Sequence, residues 1–273
     1  MHMFEYLQPR TAIEAEALLL ANEEARAISG GMSLLPAMKL RLAAPSHLID
    51  LSGIEEMRGT SVDDNVLTIG AMTRHAEVAR SSVVRQAIPG LAALASGIGD
   101  RQVRNRGTIG GSIANSDPAA CYPASVLGLG ATVMTPRRRI AADDFFVGVF
   151  ETALEPGELV THIAFPIPER SAYVKFQQPA SRFALVGVLV SRSRDGTVRV
   201  AVTGASSHVF RVPSLEQALA AEFTPGAVEN IAIDTEELNS DIHGDADYRA
   251  HLIPVLTARA VDLASKPDAV GKI

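Results

Sequence analysis

The chain has 273 residues, 47% of them hydrophobic and 21% charged, which supplies a sizeable core, argues against global disorder and suggests two domains or one with a subdomain. A net charge of −6 without any basic run or aromatic-rich basic strip argues against a nucleic-acid partner. The single cysteine, Cys121, excludes an internal disulfide and any iron–sulfur cluster or four-cysteine zinc site held by this chain alone.

Thr11 with Glu14 matches a capping box and heads a helical pattern, predicting a first helix over Thr11–Glu24. Acids interrupt this N-terminal apolar stretch, so it does not read as a signal peptide. No 18-residue apolar run reads as a membrane span, and a cytoplasmic protein is expected. "ARAIS" reads as a strand ended by Gly30-Gly31, "LLPAMKLRLAAP" as a helical start, and "SHLIDLS" as a second strand. A strand over Asn65–Met72 is followed by helices at Arg74–Ala79 and Ser82–Ser96. The segment Gly107–Pro123, "GTIGGSIANSDPAACYP", reads as a loop, "CYPASVLGLG" as a short helix, "ATVMTP" as a strand, and "PRRRI" as a solvated turn. "LVTHIAFPIP" is a strand closed by prolines. Beyond it, "AYVKFQQ", "FALVGVLVSRS" and "TVRVAVTGAS" are strands, with a hairpin turn at Asp195-Gly196. Ser214 with Gln217 reads as a second capping box, and a last helix spans Tyr248–Ala264. Strands followed by helices make the second half α+β. The boundary falls near Pro168, giving parts 1–168, subdivided near 55–62, and 169–273.

Two glycine pairs carry the chemistry. "ISGGMSLLPAMK" and "TIGGSIANSDP" each place Gly-Gly after an aliphatic residue, with serine within two positions. Glycine lets backbone approach a ligand closely, and successive N–H groups form nests for oxyanions, so each loop is suited to one part of a diphosphate. Ordinary tight turns are the alternative. Neither loop is a GxxxxGK[ST] phosphate loop or a GxGxxG fingerprint. Asp117 is placed to accept from a ribose or ring N–H, or to cap a turn before Pro118. Cys121 lacks an adjacent base and reads as a buried thiol. Lys39 is either a phosphate partner or a solvated lysine. Tyr173 and Lys175 are candidates to face a ligand between the two parts, although in an alternating strand one of them is expected to face solvent. His75, His162, His208, His243 and His251 stand apart and read as surface or core histidines.

Together these residues resemble a family. "ISGGMSLLPAMKLR" and "VRNRGTIGGSIANSDPAACYPA" resemble the two glycine segments of molybdenum hydroxylase flavoprotein subunits of the carbon monoxide dehydrogenase and xanthine dehydrogenase type. "LEPGELVTHIAFPIP", "AYVKFQQPASRFALVGVLV" and "SDIHGDADYRAHLIPVLTARAV" extend the resemblance over nearly the whole chain. It implies an α+β fold: a two-part FAD-binding domain of the vanillyl-alcohol oxidase (PCMH) type, then a C-terminal domain of the carbon monoxide dehydrogenase flavoprotein type. It implies FAD contacts at Ser29, Gly30, Gly31, Met32, Ser33 and Leu34, and at Thr108, Ile109, Gly110, Gly111 and Ser112. Asn115, Asp117, Cys121, Leu159, Tyr173 and Lys175 complete the implied site. Met32 stands where relatives often carry His, Thr or Gln. Cys121 stands where they usually carry Asp, a loss of about 1–3 kcal/mol if the acceptor is buried and not replaced, with Asp117 close enough in sequence to compensate.

The resemblance also implies an electron-transfer role with no catalytic acid, base or metal on this chain. FAD collects electrons from the [2Fe–2S] clusters of a small partner subunit and passes them to an external acceptor. A large molybdopterin-binding subunit oxidises the substrate, and the whole assembles as a dimer of heterotrimers. A stand-alone flavin oxidoreductase and a flavin-free structural subunit are the alternatives.

Overall fold

A computed structural model describes residues 1–266, so the expected second part, 169–273, runs past them. The chain opens with β1 (Glu5–Leu7), α1 (Ala12–Ala21), β2 (Ala25–Ile28), α2 (Leu34–Lys39) and β3 (His47–Asp50). The three strands form a parallel sheet in the order β1–β3–β2. Thr11 caps α1 by accepting from the Glu14 N–H at 3.2 Å, as expected of a capping box. The Glu14 carboxylate reaches past Thr11 to the Arg10 N–H at 2.8 Å, and the helix ends at Ala21 rather than Glu24.

The second layer contains β4 (Thr60–Asp63), β5 (Val66–Gly70), α3 (His75–Arg80), α4 (Ser82–Ala87), α5 (Pro89–Ser96), α6 (Arg101–Arg106), α7 (Ile109–Asn115) and α8 (Tyr122–Gly128). It continues through β6 (Thr132–Met134), β7 (Arg139–Ala141), α9 (Ala142–Phe145), β8 (Phe146–Gly148), β9 (Glu151–Thr152) and β10 (His162–Pro166). Its main sheet is antiparallel, in the order β4–β5–β10–β6–β7. Asp64 and Asn65, both at positive φ, make the tight β4–β5 turn. In β10, Ile163 and Phe165 are fully buried while their neighbours are not, the alternation of a strand with one covered face. The single helix expected over Ser82–Ser96 is two. Pro89 starts α5, and the residue before it, Ile88, is pushed out of helical geometry to φ −139°, ψ 79°.

The third layer is an antiparallel sheet of β11 (Arg170–Gln177), β12 (Ala184–Arg192), β13 (Val198–Thr203) and β14 (Phe210–Arg211), in that order, with α10 (Pro213–Ala221) and α11 (Ala246–Ala264). The Asp195-Gly196 hairpin is present, with Gly196 at φ +88°. The second capping box is not. α10 starts at Pro213, and neither Ser214 nor Gln217 caps it. Asp245 caps α11 by accepting from the Tyr248 N–H at 2.8 Å, which starts that helix earlier than expected.

Two hydrophobic clusters result. One lies between the third sheet and its helices, around Val186, Val188, Ile253 and Leu256. The other joins the first two layers and reaches across to Leu189 and Ala201 on the opposite face of the third sheet. Each fully buried Leu, Ile or Phe in them contributes roughly 1.5–3 kcal/mol. Gly128 permits this reach. A Cβ there would meet the Leu189 Cδ2 at 2.6 Å and the Ala201 Cβ at 3.1 Å, so any other residue would force Leu189 to shift where α8 lies on the sheet. "PRRRI" is the exposed turn between β6 and β7 that was expected, and its arginines also pair: Arg137 meets Glu16 at 3.3 Å and Arg138 meets Glu158 at 2.8 Å.

Candidate functional site

A cavity of about 1250 Å³ opens where the three layers meet. That exceeds the usual 300–1,000 Å³ of small-ligand sites and suits an extended dinucleotide. Ser29, Gly30, Gly31, Met32, Ser33 and Leu34 all line it. The chain leaves β2 here and turns through Gly31 at φ +72°, a conformation that favours glycine. α2 then begins, with the Leu35 N–H on the Gly31 carbonyl at 3.1 Å. The backbone N–H groups of Gly30, Gly31, Met32, Ser33 and Leu34 find no protein acceptor among the described residues. Five consecutive free donors on a cavity wall are an oxyanion seat.

The second glycine pair works differently. The segment expected as a loop is helix α7, capped by Thr108, whose Oγ1 accepts from the Gly111 N–H at 3.1 Å. Every early donor of α7 is taken: the Ile109 N–H by the Thr73 carbonyl at 3.1 Å, that of Gly110 by Ala71 at 2.9 Å, and that of Ser112 by Thr108 at 3.1 Å. The expected second nest is therefore corrected, since its N–H groups are spent inside the fold. The glycines serve close approach instead. A Cβ on Gly110 would meet the Ala71 Cβ at 2.4 Å, and one on Gly111 the Ser29 Oγ at 2.4 Å. Gly30 in turn lies against the Arg106 carbonyl, 2.3 Å from where its Cβ would stand. The two glycine segments thus pack on one another, tied by a 3.2 Å bond from Thr108 Oγ1 to Ser29 Oγ.

Thr108, Gly110, Gly111, Ser112, Asn115, Asp117, Cys121, Leu159 and Lys175 also line the cavity. Ile109 and Tyr173 do not. Ile109 is fully buried in the core, and Tyr173 packs behind the wall. Lys39 is exposed and away from the cavity. Asp117 caps its turn by accepting from the Ala119 N–H at 2.9 Å while still bordering the cavity. Thr203 Oγ1 lies 2.8 and 2.7 Å from the Pro118 and Ala120 carbonyls, sharing its one hydroxyl hydrogen between them, which holds the turn that leads to Cys121. Tyr173 and Lys175 are two apart on β11, so the pleat puts both on one face; neither is the solvent-facing partner expected. Burial, and then the Cys121 sulfur, push the Tyr173 phenol above its ordinary range.

Three features of the site went unread in the sequence. His75 lines the cavity, is buried, and has no partner at Nδ1. Burial, reinforced by Arg104, lowers its pKa to about 4, so it is neutral at pH 7. Helix α6, which contributes Val103, lies in "RQVRNR", a stretch without an apolar face to announce it. The third is an ionic brace. Leu159 donates its N–H to Glu16 Oε1 at 3.2 Å, and beside it Glu158 is clamped by Arg138, whose contact lowers that carboxyl to about 2. The brace fixes the Pro156–Val160 stretch of the wall, and its partners are too far apart in sequence to pair on sight.

The free donors and the cavity size fit an FAD-sized anionic dinucleotide. Among the described residues, no group of three or more His, Cys, Asp or Glu is placed to hold a metal, and no helix is long and apolar enough to cross a membrane.

Residues 2–168 match the family described as the FAD binding domain in molybdopterin dehydrogenase. The carbon monoxide dehydrogenase medium chain of Hydrogenophaga pseudoflava is 36% identical, with 96% of each chain covered. The nicotine 6-hydroxylase medium subunit of Paenarthrobacter nicotinovorans is 36% identical over 94% of this chain and 95% of its own. Among solved structures, quinoline 2-oxidoreductase from Pseudomonas putida 86 superposes with a TM-score of 0.87 at 30% identity, covering 98% of each chain. Carbon monoxide dehydrogenase from Hydrogenophaga pseudoflava superposes with a TM-score of 0.84 at 35% identity, covering 96% of each chain.

Proposed function

The chain belongs to the family of FAD-binding subunits of molybdenum-containing dehydrogenases, and we propose from this premise that the cavity seats FAD with its diphosphate on the free N–H groups of Gly30–Leu34. Those five donors are the observation that carries the reading. FAD supplies the redox chemistry; the protein binds, orients and tunes it. Thr108, Gly110, Gly111 and Ser112 shape the wall and hold the first loop in place rather than donate. Asn115, Asp117, Cys121, Leu159 and Lys175 border the remaining length of the dinucleotide.

The chain's role in this reading is electron transfer, from the [2Fe–2S] clusters of a small partner subunit to an external acceptor. A large molybdopterin-binding subunit does the substrate chemistry, in a dimer of heterotrimers located in the cytoplasm. Relatives named for carbon monoxide, nicotine, glyceraldehyde and caffeine align with this chain over 94–96% of its length, which supports substrate choice lying on another subunit. The domain boundary belongs near Pro168, supported by the two hydrophobic clusters and by a family match that ends there.

Titration of the purified chain with FAD tests the reading. Saturable binding with one FAD per chain and a flavin absorption spectrum is expected. A folded, colourless protein with no affinity for FAD would contradict it. Co-purification with a larger and a smaller subunit tests the assembly.

A further inference from the structure

The cavity wall carries an ammonium with unusual company. Lys175 Nζ donates to the Gly97 carbonyl at 2.9 Å and to the Arg182 carbonyl at 2.8 Å, and lies 3.7 Å from the Cys121 sulfur. These contacts join three separate stretches of the wall: the turn after α5, the β11–β12 loop and the start of α8. All three partners are formally neutral as a carbonyl or a thiol. No carboxylate lies within ion-pair reach of Lys175 among the described residues.

The nearby acids are occupied elsewhere. Asp100 caps α6, accepting from the Val103 N–H at 2.8 Å. Asp117 closes its own turn on the Ala119 N–H, and Glu158 is clamped by Arg138. Tyr173, next to Lys175 on the same strand face, is held neutral by burial. An ammonium fixed by dipoles alone attracts negative charge that arrives beside it. Two-electron reduction of a flavin places negative charge on its ring, and charge near that ring tunes its electronics.

We propose that Lys175, a cation of the cavity wall with no carboxylate partner, serves the reduced flavin ring, and that Cys121, a thiol in the position from which a carboxylate would neutralise it, keeps that charge available and so raises the cofactor's reduction potential. The diphosphate has its own seat on Gly30–Leu34, which leaves the ring as the part of the dinucleotide that gains charge on reduction. The proposal rests on the reading that FAD occupies the cavity.

The test measures the two-electron midpoint potential and the Kd of oxidised FAD in the full chain, for the natural protein, Cys121→Asp, Cys121→Ser and Lys175→Met. Cys121→Asp supplies a carboxylate beside the ammonium. Its preference for reduced over oxidised cofactor is expected to fall at least tenfold, a drop of about 30 mV for a two-electron couple. Lys175→Met should fall by at least as much, and Cys121→Ser should stay near the natural value. Unchanged potentials in both Cys121→Asp and Lys175→Met, with FAD bound, would overturn the proposal alone. Equal weakening of both redox states in Lys175→Met would overturn it too, by assigning the ammonium to the diphosphate. Failure of the natural protein to bind FAD would refute the cavity reading itself, and this proposal with it.

Discussion

The two glycine pairs look alike in sequence and do opposite work. Around Gly30-Gly31 five backbone donors of cavity-lining residues have no protein acceptor among the described residues. Around Gly110-Gly111 it spends every early donor of α7 on Ala71, Thr73 and Thr108. The first pair is a binding surface, and the second is the spacer that lets the two segments touch. A Gly-Gly motif therefore says that backbone comes close to something. Whether that something is a ligand or another piece of the same chain depends on which acceptors the fold supplies.

Substitutions can break this contrast. The largest effect is expected for Gly110→Val, whose Cβ would lie 2.4 Å from the Ala71 Cβ and 2.8 Å from the Ala71 carbonyl. Overpacking against backbone should cost about 3 kcal/mol, lowering the melting temperature by roughly 6–12 °C with or without FAD. A calorimetric scan of the apo protein checks it; an unchanged transition with lost FAD binding would make Gly110 a ligand contact after all.

Next in size is the pH dependence through His75, which accepts Gly107 against its ring and so belongs to the structural side of the contrast. Its folded pKa is depressed to about 4 against 6.5 unfolded. Between those values the unfolded chain binds the extra proton, so the contribution is complete above pH 6.5 and lost as pH falls to about 4. Its size is about 3 kcal/mol. Denaturant titrations from pH 7 to 4 should show this loss in the natural protein and not in His75→Gln. Glu158 adds a second loss at lower pH, from about 4.5 down to about 2, where protonation breaks its contact with Arg138.

Gly31→Ala comes third. A side chain at φ +72° is strained by about 1–2 kcal/mol, and relief by rotating the loop would turn the donors away. FAD affinity should fall roughly tenfold, with a smaller thermal shift than Gly110→Val causes. Isothermal titration separates the two. The smallest change is expected for Met32→Ala. That side chain is 37% exposed, and the residue's offering to the cavity is its N–H, so the FAD Kd should move by less than about threefold, or under 0.7 kcal/mol. A large loss would mean that the side chain, not the backbone, carries the contact.

Much of this was legible from residue patterns. Caps, turn residues and alternation locate α1, β5, β10 and the β12–β13 hairpin, and the family resemblance points to the FAD fold. What stayed hidden depends on partners distant in sequence. "TIGGSIAN" carries two glycines and reads as a loop, yet it is helical because Thr108 caps it and Ala71 and Thr73 supply carbonyls to its first turn. The pairing of exposed Arg138 with Glu158 stayed hidden because Glu158 comes beside it only when β10 pairs with β6. Tyr173 and Lys175 share a face by simple strand geometry, which the alternation already contained.

Amide hydrogen exchange, read by mass spectrometry with and without FAD, tests the central claim most directly. The account predicts that Gly30–Leu34 exchanges fast in the apo protein and becomes protected when FAD binds, while Ile109–Ser112 is slow in both states. Fast exchange at Ile109–Ser112 that slows on adding FAD, with Gly30–Leu34 unaffected, would contradict it.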